Sequence, residues 1–178
     1  METKIIIING LGGSGKSTFA TLCKEYGALQ YSGMLIKELS TIDFVKEVAR
    51  FCGWDGSKTT NNRVFLHHLK TVLEEWDNIP AKKVLDEIAL GPKDNALYFV
   101  NIREANSIDK FKEACNERGY KYITLVVNNP NIISNEVPRL IEEIQSYPYD
   151  VIITNDKDLF YLKQCANGFI ESLVNGLM

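Results

Sequence analysis

Residues 4–19 read KIIIINGLGGSGKSTF, and the choice of fold turns on that stretch. Ile5, Ile6, Ile7 and Ile8 form a continuous apolar run. Continuous runs, as opposed to alternating ones, mark strands covered on both faces, the habit of parallel sheets packed between helices. The run ends in a turn almost bare of side chains, where Gly10, Gly12, Gly13 and Gly15 lead into Lys16, Ser17 and Thr18. Residues 10–17 fit the spacing G-x-x-x-x-G-K-[ST], directly after a strand and directly before a helix. Such a turn lets the backbone N–H groups of residues 11–17, Ser14 included, point toward one spot, and the positive end of the following helix adds its field. A polyphosphate can then replace water without loss of hydrogen bonds. Lys16 would reach the terminal phosphates, the Ser17 hydroxyl would hold Mg²⁺, and Thr18 would add a second phosphate contact. A strand-to-helix turn that binds nothing needs one or two glycines, seldom four with a lysine and a serine in these places. The expected occupant is the tail of a nucleoside triphosphate.

The rest of the chain bounds this reading. It has 178 residues, 45% of them hydrophobic, enough for one compact core. The expectation is therefore a single domain over residues 1–178. Net charge is −3 and neither terminus carries a basic run, which argues against a nucleic-acid polymer and for a small anionic ligand. Cys23, Cys52, Cys115 and Cys165 are scattered, without a C-x-x-C pair or a histidine cluster, and read as reduced core residues. The first nine residues are too short and too sharply ended by glycine for a signal peptide, and no apolar run approaches membrane-spanning length. A cytoplasmic protein that does not engage the membrane is expected.

Further apolar runs suggest strands at 34–39, 97–102, 122–127 and 151–154, after the first at 5–8. Helical spacing occupies 16–25, 42–51, 62–76, 81–90, 108–117, 137–146 and 159–173. Punctuation agrees, with Ser40 or Thr41 able to cap the second helix, Gly91-Pro92 ending the fourth and Pro138 suited to the first turn of the sixth. Alternation of this kind indicates right-handed crossovers and a three-layer α/β/α fold around a parallel sheet. Residues 41–92 form a helical insertion after the second strand.

Beyond the loop, candidate residues gather at predicted carboxyl ends of strands, where ligands of open α/β sheets collect. Ser40, Thr41 and Asp43 follow the second strand; Asp43 could accept a proton from an acceptor, hold a metal water, or satisfy free N–H groups at a helix start. Trp54 could stack on a base or close the core. Lys58, Arg63 and Lys70 are candidates for an anionic acceptor. Arg63 and Lys70 are seven apart on one predicted helix, so both could point at one phosphate or form a solvated basic face. His67 and His68 are adjacent and cannot share a helix face, which argues against a joint metal site. Arg103, after the third strand, could clamp a phosphate through two parallel bonds or pair with a carboxylate. Glu104 could hold a Mg²⁺ water or act only at a helix start.

A GTPase base reader, Asn-Lys-x-Asp, is absent, because residues 154–158 run TNDKD in the wrong order. The third strand also lacks the closing Asp of large ATPases, ending in Asn101 with Arg103-Glu104 behind it. Taken together, the phosphate-binding loop (P-loop), STIDFVKEVARFCGWDGSKTTNNRVFLHHLK at 40–70, NIRE at 101–104 and YDVIITND at 149–156 resemble the P-loop nucleoside monophosphate kinase superfamily. Within it, the chain is most similar to the phage-type deoxynucleoside monophosphate kinases and their relatives classed beside dephospho-CoA kinase. The resemblance runs across most of the chain. It implies a five-stranded parallel sheet of order 2-3-1-4-5, ATP on the P-loop, and an acceptor pocket under the helical insertion built from residues 40–70. Ser40, Lys58, Arg63, Lys70, Arg103 and Arg139 would then face the acceptor, and Asn155 would lie near the adenine ring.

The chain also departs from that pattern. The similar kinases place Asp where this chain has Asn101, and often Arg where it has Val127 or Asn128. Asparagine cannot serve as a metal-holding or proton-accepting anion. Arg139 is the only arginine from residue 119 onward, and the lid region 128–134, NNPNIIS, is uncharged. The expected activity is ATP-dependent phosphoryl transfer to a small anionic acceptor, first a (deoxy)nucleoside monophosphate. A hydroxyl acceptor such as dephospho-CoA, with Asp43 as base, and a regulatory nucleotide-binding protein with little transfer are the alternatives.

Overall fold

The computed structural model describes residues 1–133 and 137–177. Its elements follow the order β1 (Lys4–Asn9), α1 (Lys16–Gln30), β2 (Leu35–Ser40), α2 (Thr41–Phe51), α3 (Thr60–Asp77), α4 (Ile79–Ala89), β3 (Ala96–Asn101), α5 (Ala105–Glu117), β4 (Lys121–Asn128), α6 (Pro138–Ser146), β5 (Val151–Thr154) and α7 (Leu159–Val174). The five strands form one sheet of order β2-β3-β1-β4-β5, and every pairing is parallel. The element sequence and the strand order both agree with expectation.

β1 lies at the centre of the sheet, between β3 and β4, and is covered on both faces. Ile5 to Ile8 are fully buried, each contributing about 2 kcal/mol of burial free energy. Alternate residues serve opposite layers. Ile6 and Ile8 join Phe19, Phe99, Leu125, Phe169 and Ile170 under α1 and α7, whereas Ile5 and Ile7 join Tyr98, Val100, Leu85 and Phe111 under α4 and α5. The helical segment α2 to α4 packs on itself and leans on the sheet through α4.

Two expectations are corrected by packing. α1 runs to Gln30, beyond the predicted end at 25, because Gly27 sits inside the helix and permits close approach to β2: a Cβ there would lie 2.7 Å from Ile36 Cδ1. Its glycine acts as a spacer and not as a breaker. Among the cysteines expected in the core, Cys23 and Cys115 are buried and burial pushes their thiols up, but Cys52 is exposed at the end of α2. Among the described residues no helix is long and apolar enough to cross a membrane.

Candidate functional site

The turn after β1 is held from below by one buried side chain. Asn9 accepts from the Gly10 N–H through Oδ1 at 2.7 Å, and donates through Nδ2 to the Arg103 carbonyl at 3.0 Å and the Tyr149 hydroxyl at 2.8 Å. It thereby ties the P-loop to the β3–α5 turn and to the segment before β5. Gly10 has φ 141, and a Cβ there would meet the Val127 carbonyl oxygen at 2.3 Å. Gly15, with φ 100 at the start of α1, would place a Cβ 2.5 Å from Asn155 Nδ2. At both positions the fold demands a residue without a side chain.

The first turn of α1 has no side-chain cap and no acidic residue, so its leading N–H groups and helix dipole present a positive end. One amide of the loop is committed internally, since the Ser14 N–H donates to the Leu11 carbonyl at 3.1 Å. The Ser14 hydroxyl is buried and has no hydrogen-bond partner among the described residues. Lys16 Nζ folds back on the loop, donating to the carbonyls of Gly10 (2.7 Å) and Leu11 (2.9 Å). Burial, reinforced by the nearby Arg103 charge and opposed by Glu38, pushes the Lys16 ammonium down to about 8. Gly12 and Lys16 border a large cavity, while Ser17 and Thr18 are exposed at the helix start. Asn155 fastens this end of the site, donating to the Ser14 carbonyl at 2.9 Å while its own N–H bonds the Asn128 carbonyl at 2.7 Å.

The cavity has a volume of about 1170 Å³ and extends from the P-loop under α3 to α5 and α6. Ser40, Arg63, His67, Arg103 and Arg139 line it together with Lys16. Burial holds the Arg103 guanidinium below its ordinary value; Glu104 opposes this, and the positive charge of Arg63 adds to it. Arg63 and Lys16 are thus both within electrostatic reach of Arg103. Arg139 reaches the cavity from α6 and donates to Glu143 at 2.9 Å.

Lys70 lines the same cavity as its helix neighbour Arg63, but its ammonium is engaged within the protein. It is 6% exposed and its three ammonium donors are taken by Glu104, by Ser107 Oγ at 3.0 Å and by Glu74 at 3.5 Å. Burial alone would raise the Glu104 carboxyl, but the adjacent Lys70 holds it below the usual range. The cation therefore bolts α3 to the β3–α5 corner that carries Arg103. Asp43 sits in the first turn of α2, as the helix-start alternative has it. It does not line the cavity, and its carboxylate pairs with Lys46 one turn along α2 at 3.1 Å. Lys58 is likewise exposed outside the lining, and Trp54 closes its own loop by donating to the Ser57 carbonyl at 3.1 Å with Arg50 over its ring. In the lid region Ile132 approaches Gly13, and Ser134 lies outside the described residues.

Three contributors escaped the sequence reading. Asn9 and Tyr149 had only their places beside the strand ends as signals. Glu38, an exposed residue within the weak strand pattern MLIKEL, accepts through Oε1 from Asn101 Nδ2 at 2.7 Å and from Ser17 Oγ at 3.3 Å.

No protein-family model and no curated protein matches the chain. Solved structures do match in fold. An APS kinase from Mycobacterium tuberculosis, CysC, in complex with AMPPNP and APS superposes with a TM-score of 0.59 at 15% identity, over 97% of this chain and 98% of that one. The tunicamycin resistance protein of Deinococcus radiodurans gives 0.59 at 10% identity, over 94% and 96%. Thymidylate kinase from Ehrlichia chaffeensis gives 0.51 at 12% identity, over 96% and 99%. At these identities the likeness is one of architecture: the chain has an α/β fold of the P-loop kinase kind.

Proposed function

We propose that this protein is a Mg²⁺-ATP-dependent phosphotransferase acting on a small anionic acceptor, a nucleoside or deoxynucleoside monophosphate being the acceptor class its cavity suits best. One observation carries this reading. Lys16 and Arg63 each lie within electrostatic reach of Arg103, across a cavity that begins at the P-loop. Cations that repel one another around a concave surface gain from an anion placed between them. The fold's likeness to an APS kinase and a thymidylate kinase supports transfer from ATP to a small phosphorylated molecule.

In this reading the leading amides of α1 and the Lys16 ammonium hold the donor's phosphates, with Lys16 exchanging the Gly10 and Leu11 carbonyls for phosphate oxygens. Arg103 stands between donor and acceptor ends, where a guanidinium can offer parallel bonds while neutralising charge. Arg63 grips the acceptor from α3, Arg139 closes from α6, and Ser40 lines the wall at the end of β2. Asn155, which fastens the Ser14 carbonyl, would flank the adenine in this reading. The exposed Ser17 hydroxyl fits a hard cation, and Mg²⁺ there would neutralise phosphate charge. The protein's own contribution is alignment of two anions for in-line attack.

A regulatory nucleotide-binding role is the second reading, favoured by the uncharged residues 128–133 beside the P-loop and by Asn101. Incubation with ATP, Mg²⁺ and a panel of monophosphates tests both. A diphosphate product is expected. Product only with dephospho-CoA or another hydroxyl acceptor overturns the acceptor class, and tight ATP binding without turnover on any acceptor establishes the regulatory role.

A further inference from the structure

Position 101 closes the central part of the sheet with an amide where a carboxylate would serve a metal better, and the structure shows what stands beside it. The register pairs Ser40 with Asn101, so Glu38, two residues earlier on β2, shares their face of the sheet. That is the face covered by α1, whose first turn carries Ser17. Glu38 Oε1 receives both the Asn101 amide, at 2.7 Å, and the Ser17 hydroxyl, at 3.3 Å. Asn101 Nδ2 is also 3.4 Å from the Leu39 carbonyl, so two acceptors turn its NH₂ toward β2. The amide works as a donor that seats the neighbouring carboxylate.

Charged residues on an edge strand commonly serve only to keep it soluble and unpaired. Lys37 fits that description, joined to Glu87 at 2.7 Å and half exposed. Glu38 does not. Its hydrogen bonds come from two neutral side chains, and no ion pair among the described residues neutralises it. Mg²⁺ is held in nucleotide sites by one or two protein oxygens plus the substrate's phosphates, without a dedicated cage. Consistently, no group of three or more His, Cys, Asp or Glu among the described residues is placed to hold a metal alone. A hydroxyl and one carboxylate at the mouth of the P-loop match that need.

We propose that Glu38 supplies, from β2, the carboxylate that position 101 lacks for the Mg²⁺ of the bound nucleotide, with Ser17 as the accompanying oxygen and Asn101 as a positioning residue. This rests on the donor-site reading above. It predicts that the anionic charge at the site has moved one strand toward the sheet edge, and that it can be moved back.

Calorimetric titration of the full chain with ATP, in excess Mg²⁺ and in EDTA, tests the assignment without reference to turnover. Glu38→Gln is expected to bind metal-free ATP as well as the wild type or better, since a charge near the phosphates is gone. Its Mg²⁺-dependent gain in affinity should shrink by about tenfold or more. Adding Asn101→Asp to that variant should restore a measurable part of the gain. An undiminished Mg²⁺ gain in Glu38→Gln overturns the proposal. Wild-type protein that binds ATP in neither condition overturns the donor-site reading first, and this inference with it.

Discussion

The two ends of the cavity are built by different means. At the proposed donor end the parts are mostly backbone: glycines, helix-start amides and one lysine drawn from residues 10–18 of a single strand-turn-helix. At the proposed acceptor end they are side chains, brought by α3, the β3–α5 turn and α6 from positions as distant as Arg63 and Arg139. A site made of contiguous backbone needs only local geometry. A site made of distant side chains also needs internal bolts to hold its walls, and Lys70 is such a bolt. Arg63 and Lys70 show the division on one helix, since both line the cavity but the ammonium of Lys70 is consumed in holding its wall together.

The largest effect should come from the donor end. Lys16→Ala should lower turnover by about a thousandfold with folding intact, because the charge proposed to meet the transferring phosphates is lost. Steady-state kinetics beside a thermal melt checks this, and unchanged turnover would remove the donor site from the P-loop. At the acceptor wall the contrast between the two cations can be broken directly. Lys70→Ala leaves Glu74 and Glu104 facing each other half-buried, and should cost about 3 kcal/mol in denaturant unfolding. Arg63→Ala should leave stability unchanged and raise the acceptor KM by about tenfold, the loss of one charge-assisted contact. If the two variants exchange these phenotypes, the assignment of bolt and grip is reversed.

The smallest effect is one of pH. Lys16 titrates at about 8 in the folded protein against an ordinary 10.5. Between pH 7 and 9 the free protein therefore loses that charge, and ATP affinity should decline several-fold across the interval in titrations at constant ionic strength. Stability moves the other way. Between pH 8 and 10.5 the unfolded chain holds more protons at this lysine than the folded one, so its contribution to stability rises with pH over that window. A parallel fall of affinity and stability would show global loosening instead of titration at the P-loop.

Much of the architecture was legible beforehand for the reason that separates the two ends. Continuous apolar runs and glycine spacing are local signals, and every strand and helix occurs in the predicted order. The helical spacing read over 16–25 stopped short of Gly27, where close approach to Ile36 lets α1 continue to Gln30. Among the candidate residues, helix periodicity placed Arg63 and Lys70 on one face without showing that Glu74, Glu104 and Ser107 converge on only one of them. The same blindness affected Asp43, whose carboxylate pairs with a helix neighbour, and Glu38, to which no local pattern drew attention.

By itself the sequence determined the parallel α/β plan and the bare turn after the first strand, because hydrophobic periodicity and glycine's freedom act over a few consecutive residues. Only the tertiary structure decided which charges are spent on one another and which are left to meet a ligand. That choice depends on distances between side chains tens of residues apart, where a few ångströms separate a neutralised pair from a cation that borders a cavity.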